Sequence, residues 1–411
     1  MLTGIVKIGL AVLVLVGVII GALFMSDVVT RPKLPAYAGL PARPGSIVSA
    51  EPVGSYPPFV FRALIRAAGV KASVPISERP HLYRITYWSR LGNQPVKLSG
   101  VVSVPATRSP RGVVVWLHGT NDDRATSVSA PSLNEGILLS GAFAGAGYVY
   151  VAPDLPGLGV SVRAQTYLHN PSTLAATLDL LQAAETFARD TGKRWPNDVY
   201  VAGFSQGGQA TAVVSRELER LHRADWRLRA SAAVAGAYDL RNITFPFALK
   251  GSSTGHAMYL TLLARSYADA YGHPVRSLLV DEAAGISDVY ALGKDVGAAT
   301  ARLPHGPRKL FQPDFLSAYD AGRPHWFLDA MQANSITSWA PLAPYRAYYG
   351  EADVDVPPQD SIAFVKRAQS LGGAATAVPV GAVDHFGSLG LAVPKIRQWF
   401  DELSNAGAAA H

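Results

Sequence analysis

The chain has 411 residues, 49% hydrophobic and 16% charged, with a formal net charge of +7 and no cysteine. That balance excludes a disordered chain, excludes disulfides, thiol catalysis and Cys-ligated metals, and suits one large domain with additions or two ordinary ones. The basic residues are spread without a run of five and no nucleic-acid motif accompanies them, so the charge is read as weak attraction to anionic lipid, with no nucleic-acid partner.

Ile8 to Ser26 carries no charge and is almost wholly apolar. At about 1.5 Å per helical residue it reaches roughly 28 Å, near the hydrocarbon thickness of a bilayer. No good small-x-small cleavage site follows it. Residues 1–30 are therefore expected to form an uncleaved transmembrane anchor with the body outside the cytoplasm. A cleaved signal peptide and secretion are the alternative. From Arg31 to Pro58 there are seven prolines, which exclude helix and central strand. Residues 31–58 are expected to be an extended arm leading to the folded body.

Leu82–Trp88 and Val96–Val102 predict an antiparallel strand pair. Gly112–Leu117, Tyr148–Ala152 and Val199–Ala202 are continuous apolar runs, as strands buried on both faces require. Between the last two, Asn170-Pro171 precedes Leu174, Leu178, Leu181 and Ala184. That is helical spacing behind a proline at the first helical position. Alternation of buried strands and amphipathic helices implies a mostly parallel central sheet flanked by helices. A strand at Ala232–Gly236 extends it. Residues 240–339 break the alternation and are rich in aromatics, so they are expected to be a helical cap insertion. The pattern resumes with a strand at Tyr345–Tyr349, a helix near Asp360–Leu371, a strand at Ala377–Val383 and a helix near Val393–Leu403. The core is thus assigned to 59–239 and 340–404, with 405–411 a frayed tail.

Gly203-Phe204-Ser205-Gln206-Gly207 fits G-x-S-x-G between a predicted strand and a predicted helix. In that frame the serine sits on a tight, strained turn, and the flanking glycines remove side chains that would collide. A serine hydroxyl needs a base to act as a nucleophile. His385, in the loop after the last strand, is the candidate base. Asp353, after the strand Tyr345–Tyr349, is the candidate orienting acid, with Asp355, Glu351 and Asp239 as rivals. The amide of Gln206 and one from the loop His118-Gly119-Thr120-Asn121 are expected to hold an oxyanion, Thr120 ahead of Asn121. His118 is expected to shape that loop. Asp154-Leu155-Pro156-Gly157-Leu158-Gly159-Val160-Ser161 is read as a structural turn. The remaining histidines lack metal-site spacing, so no metal or cofactor is expected.

Taken in order, His118-Gly119, Asp154 to Ser161, Gly203 to Gly207, Gly350 to Asp353 and Asp384-His385 resemble the α/β-hydrolase fold. Gly203 to Ala210 and Ala237-Tyr238-Asp239-Leu240 are similar to secretory lipases and related bacterial serine esterases. The resemblance spans about Leu82 to Leu403. It implies cofactor-free hydrolysis of a small-molecule or lipid ester through a Ser-His-Asp triad and an acyl-enzyme. An acyltransferase with an envelope acceptor would share the same residues. A peptidase would need a recognition site for a peptide terminus. A non-enzymatic binding module would be expected to lose part of the triad. Acyl length and oligomeric state are left open.

Overall fold

The computed structural model describes residues 34–37, 40–67, 75–132, 134–251, 254–293 and 296–409. Its centre is one sheet: β1 (Ile47–Ser55), β2 (His81–Leu91), β3 (Gln94–Val104), β4 (Val113–Leu117), β5 (Val149–Pro153), β6 (Asp198–Phe204), β7 (Arg227–Val234), β8 (Tyr345–Tyr349) and β9 (Ala375–Pro379). The spatial order is β1-β2-β3-β5-β4-β6-β7-β8-β9. β1, β2, β3 and β5 pair antiparallel. From β5 through β4, β6, β7 and β8 to β9 every pairing is parallel. The carboxyl ends of the parallel strands therefore share one rim, where ligands bind in open α/β sheets.

The continuous apolar runs belong to strands covered on both faces. Along β4, Val114 and Trp116 pack into one layer while Val113, Val115 and Leu117 pack into the other, the period-2 alternation of a pleated strand. The first layer is α1 (Pro58–Ala67), α2 (Glu135–Phe143) and α12 (His385–Ala409), through Phe61, Phe143 and Phe400. The second is α3 (Asn170–Asp190), α4 (Gln206–Leu221) and α11 (Pro358–Ser370), through Phe187, Val214 and Phe364. Between β7 and β8 the chain builds the cap from a π-helical turn (Leu240–Thr244), α5 (Phe245–Lys250), α6 (Thr254–Tyr271), α7 (Asp281–Leu292), α8 (Val296–Thr300), α9 (Pro313–Asp320) and α10 (Trp326–Asn334). The cap has its own core. The Phe245 ring meets Phe311, Phe315 and Phe327 edge-on at 5.8, 6.2 and 5.8 Å, the geometry aromatic quadrupoles favour.

Three expectations need correction. The arm 31–58 is not free throughout: Ile47–Ser55 is an edge strand paired with β2 alone, with a register shift between Pro52 and Gly54. An edge tolerates a residue without an N–H, so Pro52 is no obstacle there. Ahead of it, the Tyr37 hydroxyl already donates to Asp190 on α3 at 2.9 Å. β9 ends at Pro379, not Val383, and the last helix begins at His385, eight residues before Val393. Asp384 starts it, its Oδ1 accepting the Gly387 amide at 2.7 Å and its carbonyl the Ser388 amide at 3.0 Å, as a helix N-cap does. The segment 405–411 continues that helix as far as Ala409. The anchor expected at residues 8–26 lies outside the described residues. Among the described residues no helix is long and apolar enough to cross a membrane.

α4 sits on the sheet through glycines. A Cβ at Gly208 would lie 2.7 Å from the Gly236 Cα and 2.8 Å from the Val234 carbonyl, whereas one at Gly285 in α7 would meet nothing within 4 Å. We predict that Gly208→Ala destabilises by about 1–3 kcal/mol through overpacking. Gly285→Ala should stabilise by roughly 0.5–1 kcal/mol, because only helix propensity changes. Denaturant midpoints of the two variants check both signs.

Candidate active site

Ser205 follows β6 and precedes α4, with φ 56° and ψ −115°. No ordinary side-chain-bearing residue rests there, and such a conformation costs about 1–3 kcal/mol. The turn is clamped: the Ser205 amide donates to the Val234 carbonyl at 2.8 Å, and the Ser205 carbonyl accepts from Gly208 at 2.8 Å and Gln209 at 3.2 Å. The flanking glycines are obligatory in steric terms. A Cβ at Gly207 would stand 1.8 Å from the Leu117 carbonyl oxygen, and one at Gly203 2.3 Å from that of Gly207.

His385 opens α12 and reaches back over the serine. Its Nδ1 lies 2.7 Å from Asp353 Oδ2 and its Nε2 lies 2.8 Å from Ser205 Oγ. The tautomer follows from the partners. Asp353 Oδ1 accepts the amides of Asp355 and Val356, both at 2.9 Å, so Asp353 acts as an acceptor on both oxygens. The proton between Asp353 and His385 therefore sits on Nδ1, which donates to Oδ2, and Nε2 is left to accept from the serine hydroxyl. Ser205, Asp353 and His385 are all buried. The Phe204 ring packs on the imidazole at 4.7 Å and Phe386 meets it edge-on at 5.7 Å.

Of the rival acids, Asp355 lies beside the pair and gives only its amide to Asp353. Glu351 is exposed. Asp239 caps the π-helical turn, where Oδ1 accepts the Asn242 amide at 3.1 Å. Gln206 begins α4, so its amide belongs to the positive end of a helix, which favours an anion. Thr120 follows β4 and shares a 2.9 Å hydrogen bond between its Oγ1 and the Tyr167 hydroxyl. Asn121 is turned to its own loop, with Nδ2 donating to the Thr126 carbonyl at 2.6 Å. His118 is buried, its Nδ1 2.6 Å from the Gly119 carbonyl and its Nε2 accepting the Leu155 amide at 3.4 Å, as a loop-shaping residue should be. Asp154 is buried too, accepting from Ser99 at 2.6 Å and from the Ser129 hydroxyl, so its segment is a structural turn.

Asp353, Asp355 and His385 are the one group among the described residues whose ligand atoms lie close enough to share a cation. Both His385 nitrogens are already committed to Asp353 and Ser205, so a cation bound through either nitrogen would have to displace one of these contacts.

Two residues at this rim carry no sequence motif. Glu135, first residue of α2, accepts the Trp116 indole N–H at 2.6 Å and the Gly119 amide at 3.3 Å. It thereby fixes the start of the loop that carries Thr120. Desolvation raises its pKa, opposed by the nearby His118 and by these donors. Asp360, near the start of α11, accepts the Asp239 amide at 3.0 Å and the Thr244 hydroxyl at 2.6 Å, tying the cap's first turn to α11. A capping-type Asn134-Glu135 pair was the only signal for the first. The second sits in an ordinary amphipathic helix pattern.

No protein-family model matches the chain, and no curated protein matches it. Solved structures do. A presumptive hydrolase of Legionella pneumophila superposes with a TM-score of 0.81 at 19% identity, over 87% of this chain and 98% of that one. The rice cell wall degrading esterase LipA of Xanthomonas oryzae, in a ligand-bound form, gives 0.76 at 22% identity, over 87% and 98%. Candida antarctica lipase A in its closed state gives 0.63 at 16% identity, over 90% and 87%. The chain has the α/β-hydrolase fold that these proteins share.

Burial pushes the Asp360 pKa up to about 7 from the ordinary 3.8, with the Asp239 charge adding to the rise and hydrogen bonds from Thr244 and backbone amides opposing it. A carboxyl raised on folding holds its proton in the native state while the unfolded chain releases it. Stability is then unaffected below about pH 4 and falls as pH rises to about 7, by roughly 1.4 kcal/mol per pH unit. Asp360→Asn should flatten that slope. Unfolding free energies of both proteins at pH 4.5, 6 and 7.5 decide it; parallel slopes would reject the assignment.

Proposed function

We propose that the chain is a serine carboxylic-ester hydrolase. The observation that carries this reading is the continuous hydrogen-bonded series Asp353–His385–Ser205 at the carboxyl rim of the sheet, beside the N-terminus of α4. Ser205 Oγ attacks the ester carbonyl and passes its proton to His385 Nε2. Asp353 holds the imidazole in the required tautomer and stabilises the imidazolium. The amides of Gln206 and Thr120 receive the oxyanion. As the carbonyl–alkoxy bond breaks, His385 returns the proton to the departing alcohol. Water then attacks the acyl-enzyme by the reverse sequence and frees Ser205. The esterase and lipase names of the similar structures accord with this chemistry.

A burst assay with p-nitrophenyl acetate tests it. Ser205→Ala should remove both burst and turnover, a loss on the order of 10⁴ or more. Asp353→Asn should lower kcat by about 10⁴. Asp355→Asn should cost far less, since only its backbone amide touches the acid. Wild-type activity in Ser205→Ala would overturn the proposal, and equal small losses in the two Asn variants would move the acid elsewhere.

We also propose that residues 8–26 anchor the protein in a membrane with the body outside the cytoplasm. The support is their length and lack of charge. Because Tyr37 is already held by Asp190, the free tether is short. The ten residues between Ser26 and Tyr37, at most about 3.4 Å each, span roughly 34 Å, so the body stays close to the lipid. Full-length protein should sediment with membranes through a carbonate wash. Intact mass is decisive: a mature chain beginning between residues 22 and 30 would show a cleaved signal instead.

A further inference from the structure

Two cavities lie near the Ser205–His385 pair, one with Ser205 in its wall and the other walled by Phe204 and Phe386, the neighbours of the two residues in sequence. The first is small, about 40 Å³, with Ser205 and Gln206 in its wall and Phe245, Tyr259 and Leu263 of the cap over it. The second is a groove of about 550 Å³ whose walls are α2 and the first turns of α12, with Leu138, Leu139, Phe204, Phe386, Leu389 and Val393 among its lining. Among the described residues its one charged group, Glu135, is taken by Trp116 and Gly119. A polar occupant would find little to pair with there, while an apolar one is favoured by the area it removes from water.

The two spaces differ in what they adjoin. The small cavity holds the nucleophile and the α4 amide proposed for the oxyanion. The groove shares two walls with the base: the Phe204 and Phe386 rings lie 4.7 and 5.7 Å from the imidazole and 5.8 Å from each other. Phe386 is 67% exposed, so it borders the groove as a rim that solvent and ligand can reach. An ester has an acyl arm beyond its carbonyl carbon and an alkoxy arm beyond its leaving oxygen. The leaving oxygen must come within hydrogen-bond reach of His385 Nε2 to take up a proton. The alkoxy arm therefore starts against the imidazole, which has the Phe204 and Phe386 rings beside it as an apolar wall. The acyl carbon, bonded to Ser205 with its oxygen toward Gln206, directs the other arm into the small cavity.

Volume then sets the arms' sizes. One water needs about 10–15 Å³ of such space, so the small cavity holds three or four waters, or an acyl tail of two to four carbons. The groove falls within the roughly 300–1,000 Å³ of small-molecule sites. Resting on the ester-hydrolase reading, we infer that the substrates are short-acyl esters of long or ring-bearing apolar alcohols, with the alkoxy arm in the groove between α2 and α12.

Isomeric esters separate this from a general preference for greasy substrates. Octyl acetate and ethyl octanoate have the same atoms with the arms exchanged. For the full-length protein, kcat/KM on octyl acetate should exceed that on ethyl octanoate by at least about tenfold. It should also rise from ethyl to octyl acetate by up to roughly fourfold per buried methylene. Leu389→Trp and, from the facing helix, Leu138→Trp should each pull the octyl-to-ethyl acetate ratio toward one. Equal rates on the two isomers, a preference for ethyl octanoate, or an unchanged ratio in both tryptophan variants would overturn the inference and leave the hydrolase reading standing. Absence of any Ser205-dependent turnover, ethyl acetate and p-nitrophenyl acetate included, would instead remove the hydrolase reading itself.

Discussion

The contact on which the site depends is the seating of α4 on the ends of β4 and β6. Gly207 comes so close to the Leu117 carbonyl that a Cβ would stand 1.8 Å from its oxygen. That approach brings the first turn of α4 directly onto the strand ends and leaves Ser205 no relaxed backbone to adopt, so it rests at φ 56°. The strain of about 1–3 kcal/mol persists because both neighbours are over-determined. β6 is hydrogen-bonded on two sides by β4 and β7, and Gly208 of α4 is wedged against Gly236. A looser seat would let the serine relax and sink below the rim.

From that fixed point the other groups need only correct strand order. β8 and β9 lie beyond β7 in the same parallel direction, so their carboxyl ends deliver Asp353 and His385 to the same side as Ser205. Each is then held by its own local support. Asp353 is turned by two amides that follow it in sequence. His385 is placed by the helix that starts at its own backbone, a sturdier support than a loop, and by the Phe204 ring beside it. The proposed acid and base are thus held in place by contacts from the protein itself, the kind of preorganisation that spares a site reorganisation during reaction.

Much of this was legible because parallel buried strands read as unbroken apolar runs. β4, β5 and β6 stand where Val113–Leu117, Tyr148–Ala152 and Val199–Ala202 predict them. The glycines around Ser205 advertise a close backbone approach that any other residue would block. What was not legible has physical reasons. β1 hides in a proline-rich stretch because an edge strand needs only half its amides. β9 is short and only Ala375 of its five residues is buried, so its period is weak and its end is misplaced by four residues. The helix start at His385 is invisible to an apolar pattern, since it is set by the Asp384 cap and runs through Gly387 and Gly390 before Pro394. Glu135 and Asp360 escape for another reason. Their partners are 16 to 121 residues away, and only the folded chain brings them together.

The cap is joined to the helix that follows Ser205 by a buried run of amides. Gln209, four residues after Ser205, donates through Nε2 to Asn170 Oδ1 at 2.7 Å and to the Asn334 carbonyl at 2.9 Å. The Asn170 amide donates to Asn334 Oδ1 at 2.8 Å, and Asn334 Nδ2 donates to the Tyr271 hydroxyl at 2.8 Å. α4, α3, α10 and α6 therefore meet in one satisfied polar network, and such networks fix a single arrangement because each unmade bond would leave a desolvated group. Asp360 makes a second tie at the cap's other root, through Asp239 and Thr244. Both roots of the cap that lies over Ser205 are thus hydrogen-bonded to the core. The groove between α2 and α12 has an exposed rim in Phe386, the residue after His385. The asymmetry of the two spaces thus follows from how the chain is fastened: tightly where the cap is bolted to α4, and openly where His385 projects from the end of α12.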